Sequence, residues 1–224
     1  MRAVVCSSLE GPKSLRVADM PEPVCGRGEV AIDVRAAGLN FPDVLLSYGK
    51  YQFKPSPPFV PGGEAAGLVA EVGEGVTRVK KGDRVATTML HGAFASRIVV
   101  PEPSVVPVPE KVSFETAAAT LLTYLTTIHA LEDRAHLRPG ETLLVLGASG
   151  GVGIAAVQLG KLLGATVLAA ASTDEKIAFC KEQGASEGIV YSREDLKERA
   201  KALTGGKGVD VIYDAVGGSY SEAA

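Results

Sequence analysis

Hydrophobic residues in the first half of the chain recur at every second position, in short runs. "EVAIDVRAAG", "GLVAEVGEG", "GDRVATTML" and "AFASRIVVP" alternate apolar with polar side chains, and Gly, Pro and Asp separate them. A period of two sends alternate side chains to one face of a strand, and the breakers between runs supply turns. The pattern predicts a small antiparallel β-barrel or sandwich.

Beyond residue 112 the period lengthens. Ser113, with Glu115 in the turn that follows, predicts the N-cap of a helix running to about Leu131. "ETLLVLG" is a continuous apolar run, suited to a parallel strand buried on both faces. "VGIAAVQLGKLLGA" reads as a helix stopped at Gly164, and "TVLAAAS" as the next strand. "TDEKIAFCKEQGA", "EGIVYS", "REDLKERAKALTGG" and "VDVIYDAVGG" continue the alternation. Four strands joined by crossover helices predict an α/β domain with a doubly wound parallel sheet. The expected division is a β-domain over 1–120 and an α/β domain over 121–224. The last residues, "SYSEAA", open a helix beside a fourth strand with no neighbour, so the expectation is a chain truncated at its C-terminus.

Composition narrows the function classes. Lys and Arg total 23 against 26 Asp and Glu, a net charge of −3, so no basic field favours nucleic acid or an anionic membrane. The three cysteines, Cys6, Cys25 and Cys180, are odd in number and widely spaced. They read as reduced thiols of a cytoplasmic protein rather than a disulfide framework. The most apolar long run, "TAAATLLTYLTTIHAL", is short for a bilayer and threaded with threonine, which predicts a buried helix.

The stretch "LVLGASGGVG", residues 144–153, carries the candidate chemistry, and it fits two motifs. As Gly-x-Ser-x-Gly it would make Ser149 a hydrolase nucleophile. In that fold an acid and then a histidine follow the serine, whereas His91, His129 and His136 all precede it. As a variant of Gly-x-Gly-x-x-Gly, read at Ala148, Gly150 and Gly153, it would cradle a pyrophosphate. It follows a strand and opens a helix, as that motif requires. Gly150 would let the backbone approach the diphosphate, Gly153 would let helix and strand pack, and the N–H groups of Gly151 and Val152 would face phosphate. The dinucleotide reading is preferred. An NAD site expects Asp or Glu about 20 residues on, at the end of the second strand. Here Ala171 stands at that place, followed by Ser172, Thr173 and Lys176. Hydroxyls and a cation without a carboxylate suit a 2′-phosphate, so the expected cofactor is NADPH.

With these residues in place, the chain resembles the zinc-free quinone oxidoreductase branch of the medium-chain dehydrogenase/reductase superfamily. The resemblance rests on "AAGLNFPDVLLSYGKY", "PGGEAAGLVAEVGEGV", "KGDRVA", "GAFAS", "LLTYLTTIHAL", "LRPGETLLVLGASGGVG" and "VDVIYDAVGG", in that order. It implies a GroES-like β-domain before a Rossmann domain, substrate bound in the cleft between them, and a homodimer in the complete protein. It also implies no metal: Asn40 stands near the place of a ligand cysteine, Gly63 where histidine would precede Glu64, and no Cys-x-x-Cys occurs. The bland reading of Glu64 is a buried carboxylate satisfied by backbone N–H groups.

By the same resemblance, Thr126 would lie near the nicotinamide. Asn40 and Tyr51 would be the donors that stabilise charge arising on the substrate oxygen, and Tyr51 could deliver a proton. Asp43 would orient the loop, Tyr48 is a weaker candidate, and Tyr191 would stand near the 2′-phosphate and adenine. The expected substrate is a small quinone or a related activated carbonyl or alkene. Two alternatives stay open: a 2-enoyl thioester reductase using the same donors, and a non-catalytic NADPH-binding sensor or structural protein.

Overall fold

The computed structural model describes residues 1–224 and separates into two units, Met1–Leu122 and Thr123–Ala224. In the first, strands β1 (Arg2–Cys6) and β2 (Leu15–Asp19) pair antiparallel. Bridges from Ala3 to Ala95 and from Cys6 to Phe59 tie β1 to later loops. The main sheet is built from β3 (Glu29–Gly38), β4 (Glu64–Val72), β5 (Arg84–Thr88), β6 (Arg97–Pro101) and β7 (Val105–Pro107). Its order is β6-β3-β4-β5-β7 and every pairing is antiparallel. Register shifts between β3 and β4 at Ala31/Ile32 and Val34/Ala36 mark bulges, which bend the sheet. Val30, Ile32, Val69, Val85, Ile98 and Val100 meet in its core. The alternation read from the sequence therefore becomes one closed apolar face. Helix α1 (Phe41–Ser47) follows β3, and the short α2 (Phe114–Ala118) lies near the end of this unit.

The single helix expected from Ser113 to about Leu131 is broken. Ser113 does cap α2, its Oγ accepting from the Thr116 N–H at 3.1 Å. Ala119 then leaves helical geometry (φ −100°, ψ 3°), and α3 begins anew at Leu121 and runs to Ile128. A wider-wound turn, His129–Arg134, continues from it. At the restart the Leu122 N–H, one of the amides a helix start leaves without a partner, donates to the carboxylate of Glu64 at 2.9 Å. No helix of the chain is long and apolar enough to cross a membrane.

The second unit holds the predicted alternation: β8 (Thr142–Leu146), α4 (Gly151–Leu162), β9 (Thr166–Ala171), α5 (Asp174–Glu182), β10 (Glu187–Val190), α6 (Leu196–Leu203), β11 (Val211–Asp214) and α7 (Ser219–Ala223). The sheet is parallel throughout, in the order β10-β9-β8-β11. Leu143 and Val145 of β8 enter one apolar cluster, while Leu144 and Leu146 enter the other. Both faces are thus buried, as expected for a parallel sheet carrying helices on each side. At the foot of β8 the Thr142 N–H donates to Asp210 Oδ2 at 2.7 Å, and the Asp210 N–H returns a bond to the Thr142 carbonyl at 3.0 Å. The three cysteines are free; Cys6 and Cys180 are buried, and burial pushes the Cys180 thiol up.

Candidate functional site

The chain reverses the direction in which it adds strands at β8: β9 and β10 extend the sheet on one side, and β11 joins on the other. In open α/β sheets the crevice at the carboxyl ends beside such a switch point is the usual ligand site. Residues 147–153 occupy the carboxyl end of β8. Gly147 has φ +66°, and its carbonyl accepts from the Gly150 N–H at 3.0 Å. The tight bend therefore belongs to Gly147. Ala148, read from the sequence as the substituted first glycine, is fully buried and its N–H donates to Ala170 of β9 at 3.0 Å. The motif spacing stays at Ala148, Gly150 and Gly153; the left-handed bend lies one residue earlier, at Gly147, and Ala148 fastens the turn to the sheet.

Gly150 is the N-cap of α4, and no side chain caps that end. The first-turn amides of Gly151, Val152 and Gly153 carry the partial positive charge of the helix and suit an anion. Gly153 permits the arrangement. A Cβ there would stand 2.3 Å from the Gly147 carbonyl oxygen and 2.8 Å from Ala148 C and Cα, all backbone atoms. A diphosphate fits this cradle in kind: donors without a protein acceptor, and a turn closed to larger residues. Thr127, one residue beyond the expected Thr126, is fully buried. Its Oγ1 donates to the Val152 carbonyl at 3.3 Å and lies 3.2 Å from the Tyr213 hydroxyl, holding α3 against the first turn of α4. Thr126 itself is exposed on α3. The unit's histidines are committed locally, His129 to Asp133 and His136 to the Glu132 carbonyl, so neither serves Ser149 as a base.

The ends of β9 and β10 bring the expected adenosine-side residues together. Lys176 Nζ donates to Ser172 Oγ at 2.9 Å. Thr173 is the N-cap of α5, accepting from the Lys176 N–H at 3.4 Å, so its hydroxyl is engaged in the helix. The Tyr191 N–H donates to the Ala171 carbonyl at 3.1 Å, and its ring packs on Tyr220 with centroids 4.6 Å apart. Two neighbours escaped sequence reasoning. Ser192 Oγ donates to the Ser172 carbonyl at 2.8 Å, and Arg193 forms a two-pronged pair with Asp174 at 2.5 and 2.6 Å. These contacts join residues about twenty apart, and no local pattern announces them.

In the first unit, Asn40 is the N-cap of α1. Its backbone N–H donates to Asp43 Oδ2 at 2.8 Å, and its side-chain Nδ2 donates to Glu64 Oε1 at 2.8 Å. Glu64 is 1% exposed and spends its other oxygen on Leu122. The expectation of a carboxylate held only by backbone N–H groups is thus half met; the second partner is the Asn40 amide. An amide has two N–H donors, so this bond fixes the group and leaves one hydrogen for a ligand. Asp43 is buried, and desolvation raises its pKa although the N–H groups of Asn40 and Gly62 oppose the rise. An apolar cavity of 190 Å³ lies beside it, walled by Leu39, Val44, Pro61 and Phe94. Tyr51 packs its ring on Cys6, Leu46 and Phe59, while Tyr48 is exposed.

Comparison with known proteins bears on the whole chain. Residues 26–110 match the alcohol dehydrogenase GroES-like domain, and residues 151–224 match the zinc-binding dehydrogenase domain. Quinone oxidoreductase-like protein 2 of Rattus norvegicus is 40% identical over 97% of this chain and 62% of its own length. The crystal structure of Escherichia coli quinone oxidoreductase complexed with NADPH superposes with a TM-score of 0.93 at 36% identity, covering 99% of this chain and 68% of that one. The chain belongs to the medium-chain dehydrogenase/reductase superfamily. The crystal structure of an NAD-dependent alcohol dehydrogenase matches as well, with a TM-score of 0.95 at 36% identity, covering this whole chain and 73% of that one. Fold alone therefore leaves the choice of nicotinamide cofactor among these dehydrogenases/reductases to local residues. This member spans about three-fifths of the length of the curated relatives it matches. Zinc, named in the second matching domain, finds no donor set here: no three of His, Cys, Asp and Glu converge, and Glu64 is tied to Asn40 and Leu122.

Proposed function

We propose that this medium-chain dehydrogenase/reductase is an oxidoreductase that binds NADPH and reduces a quinone, or a related activated carbonyl or alkene, without a metal. One observation carries the reading: an uncapped glycine turn at the carboxyl end of β8, beside a β9 end that bears Ser172 and Lys176 and no carboxylate at Ala171. Relatives named as quinone oxidoreductases, one of them described in complex with NADPH, support it.

NADPH supplies a hydride when bound; everything else falls to side chains and amides of this chain. The amides of Gly151, Val152 and Gly153 hold the diphosphate. Ser172 Oγ and Lys176 Nζ hold the 2′-phosphate, with Tyr191 beside the adenine. The exposed Thr126 hydroxyl orients the nicotinamide carboxamide. The Asn40 amide hydrogen not used by Glu64 stabilises negative charge on the acceptor oxygen. The Tyr51 hydroxyl is the proton donor in this scheme.

Titration of reduced-nicotinamide fluorescence tests the first half. NADPH is expected to bind about tenfold or more tightly than NADH, and Lys176→Ala to narrow the gap. Equal affinities in the parent would remove the assignment. Adding a simple quinone to the NADPH-loaded protein tests the second half, with nicotinamide oxidation as the expected result. Turnover of a 2-enoyl thioester with no response to quinone would move the protein to the enoyl reductases. Tight binding without oxidation by either substrate would leave a binding protein.

A further inference from the structure

The rim of the adenosine side contains a carboxylate that works against the cofactor just proposed. Asp174 is the first residue of α5, two residues from both Ser172 and Lys176. Its side chain is well exposed to solvent. A bare carboxylate there would repel a 2′-phosphate and offer an acceptor to a ribose hydroxyl, which is the electrostatic pattern of an NAD site. In the structure it is not bare. Arg193 reaches from the loop after β10, and its Nη1 and Nη2 donate to Asp174 Oδ2 and Oδ1. Ser192, the adjacent residue, donates to the Ser172 carbonyl, so this loop is joined to the end of β9 beside the lysine. The other cation of the cluster, Lys176, is directed to Ser172 rather than to the acid.

We infer that Arg193 determines cofactor selectivity: of the two carboxylates in the first turn of α5, Glu175 bonds the Thr173 hydroxyl, and Arg193 cancels the other, Asp174, by a two-pronged pair that keeps the rim from turning negative. The inference rests on the NADPH reading above and adds to it a residue outside the lysine and hydroxyl set. A planar guanidinium suits the role because it matches both carboxylate oxygens at once, and it stays charged at any working pH. The pair is solvent-exposed, so its own contribution to stability is small; its effect falls on the net charge that an arriving phosphate meets.

The test is a charge cycle on the protein, with dissociation constants for NADPH and NADH measured separately at low salt. Arg193→Ala exposes Asp174. NADPH affinity is expected to fall about fivefold or more while NADH affinity stays level or improves. Asp174→Ala frees Arg193, and NADPH is expected to bind at least as tightly as in the parent. Arg193→Ala combined with Asp174→Ala should recover most of the lost NADPH affinity, because the repelling charge has gone. Raising the salt concentration should shrink every difference. A merely structural tether gives another pattern, with both cofactors weakened equally and no rescue by the second substitution, and that pattern overturns the inference. A parent that prefers NADPH, with a ratio unchanged in Arg193→Ala, overturns it while leaving the NADPH reading intact. A parent with no preference overturns both.

Discussion

Gly153→Ala is expected to lower stability and cofactor affinity together, whereas Gly150→Ala should lower affinity alone. At 153 the added methyl meets the Gly147 carbonyl oxygen at 2.3 Å and two Ala148 backbone atoms at 2.8 Å. No side chain can swing aside, so α4 must move away from β8 or the turn must open. Overpacking of this kind costs about 1–3 kcal/mol, and the displaced first turn no longer presents its amides in one direction. At 150 the backbone is extended (φ −79°, ψ 172°) and a methyl would touch only the Gly147 oxygen, at 3.4 Å. That residue is exposed, so its methyl would intrude on a bound diphosphate and not on the fold. Thermal denaturation should show a midpoint several degrees lower for Gly153→Ala and little change for Gly150→Ala. NADPH titration should show weakened binding for both. A Gly153→Ala protein with parental stability and affinity would remove the turn from the binding site.

The second large effect concerns Glu64. Glu64→Gln keeps the volume but replaces one acceptor oxygen with a donor. Either the Asn40 Nδ2 group or the Leu122 N–H must then face another N–H in a site that is 1% exposed. Leaving one buried donor unpaired costs about 1–3 kcal/mol. If Asn40 stabilises charge on the acceptor, Asn40→Ala should lower kcat about a hundredfold, and Glu64→Gln should lower it about tenfold by releasing the amide. The pair should be strongly non-additive, with Asn40→Ala/Glu64→Gln close to Asn40→Ala alone. Multiplying effects would assign Glu64 only to the start of α3. Affinity for NADPH is the control, since none of these changes touches the glycine turn.

Legibility in the sequence followed the range of each interaction. β3 to β6 announce themselves by alternation between residues two apart, and the four strands of the second unit by short apolar runs between helical stretches. The glycine turn is equally local; what the motif does not announce is that the positive φ sits at Gly147, one residue before Ala148. β1, β2 and β7 gave no signal. They are three to five residues long, and β2 buries no alternating face. The interruption between α2 and α3 has no local signal either, and the carboxylate that caps the restart lies 58 residues away. Among candidate site residues, Asn40, Ser172 and Lys176 could be picked by type and position. What fixes them could not, since Glu64 lies 24 residues from Asn40 and Ser192 lies 20 from Ser172.

The double burial of β8 has a mechanical consequence. Leu143 to Leu146 supply both apolar clusters, so a slide by one residue would exchange one oily face for another and meet no polarity barrier. Alignment is marked at the two extremities. Asp210 clasps Thr142 below, and above, the left-handed kink at Gly147 allows no neighbour to take its place. The bend thus serves as an end-stop that indexes the whole ladder, and loosening it would scramble strand alignment before any ligand were lost.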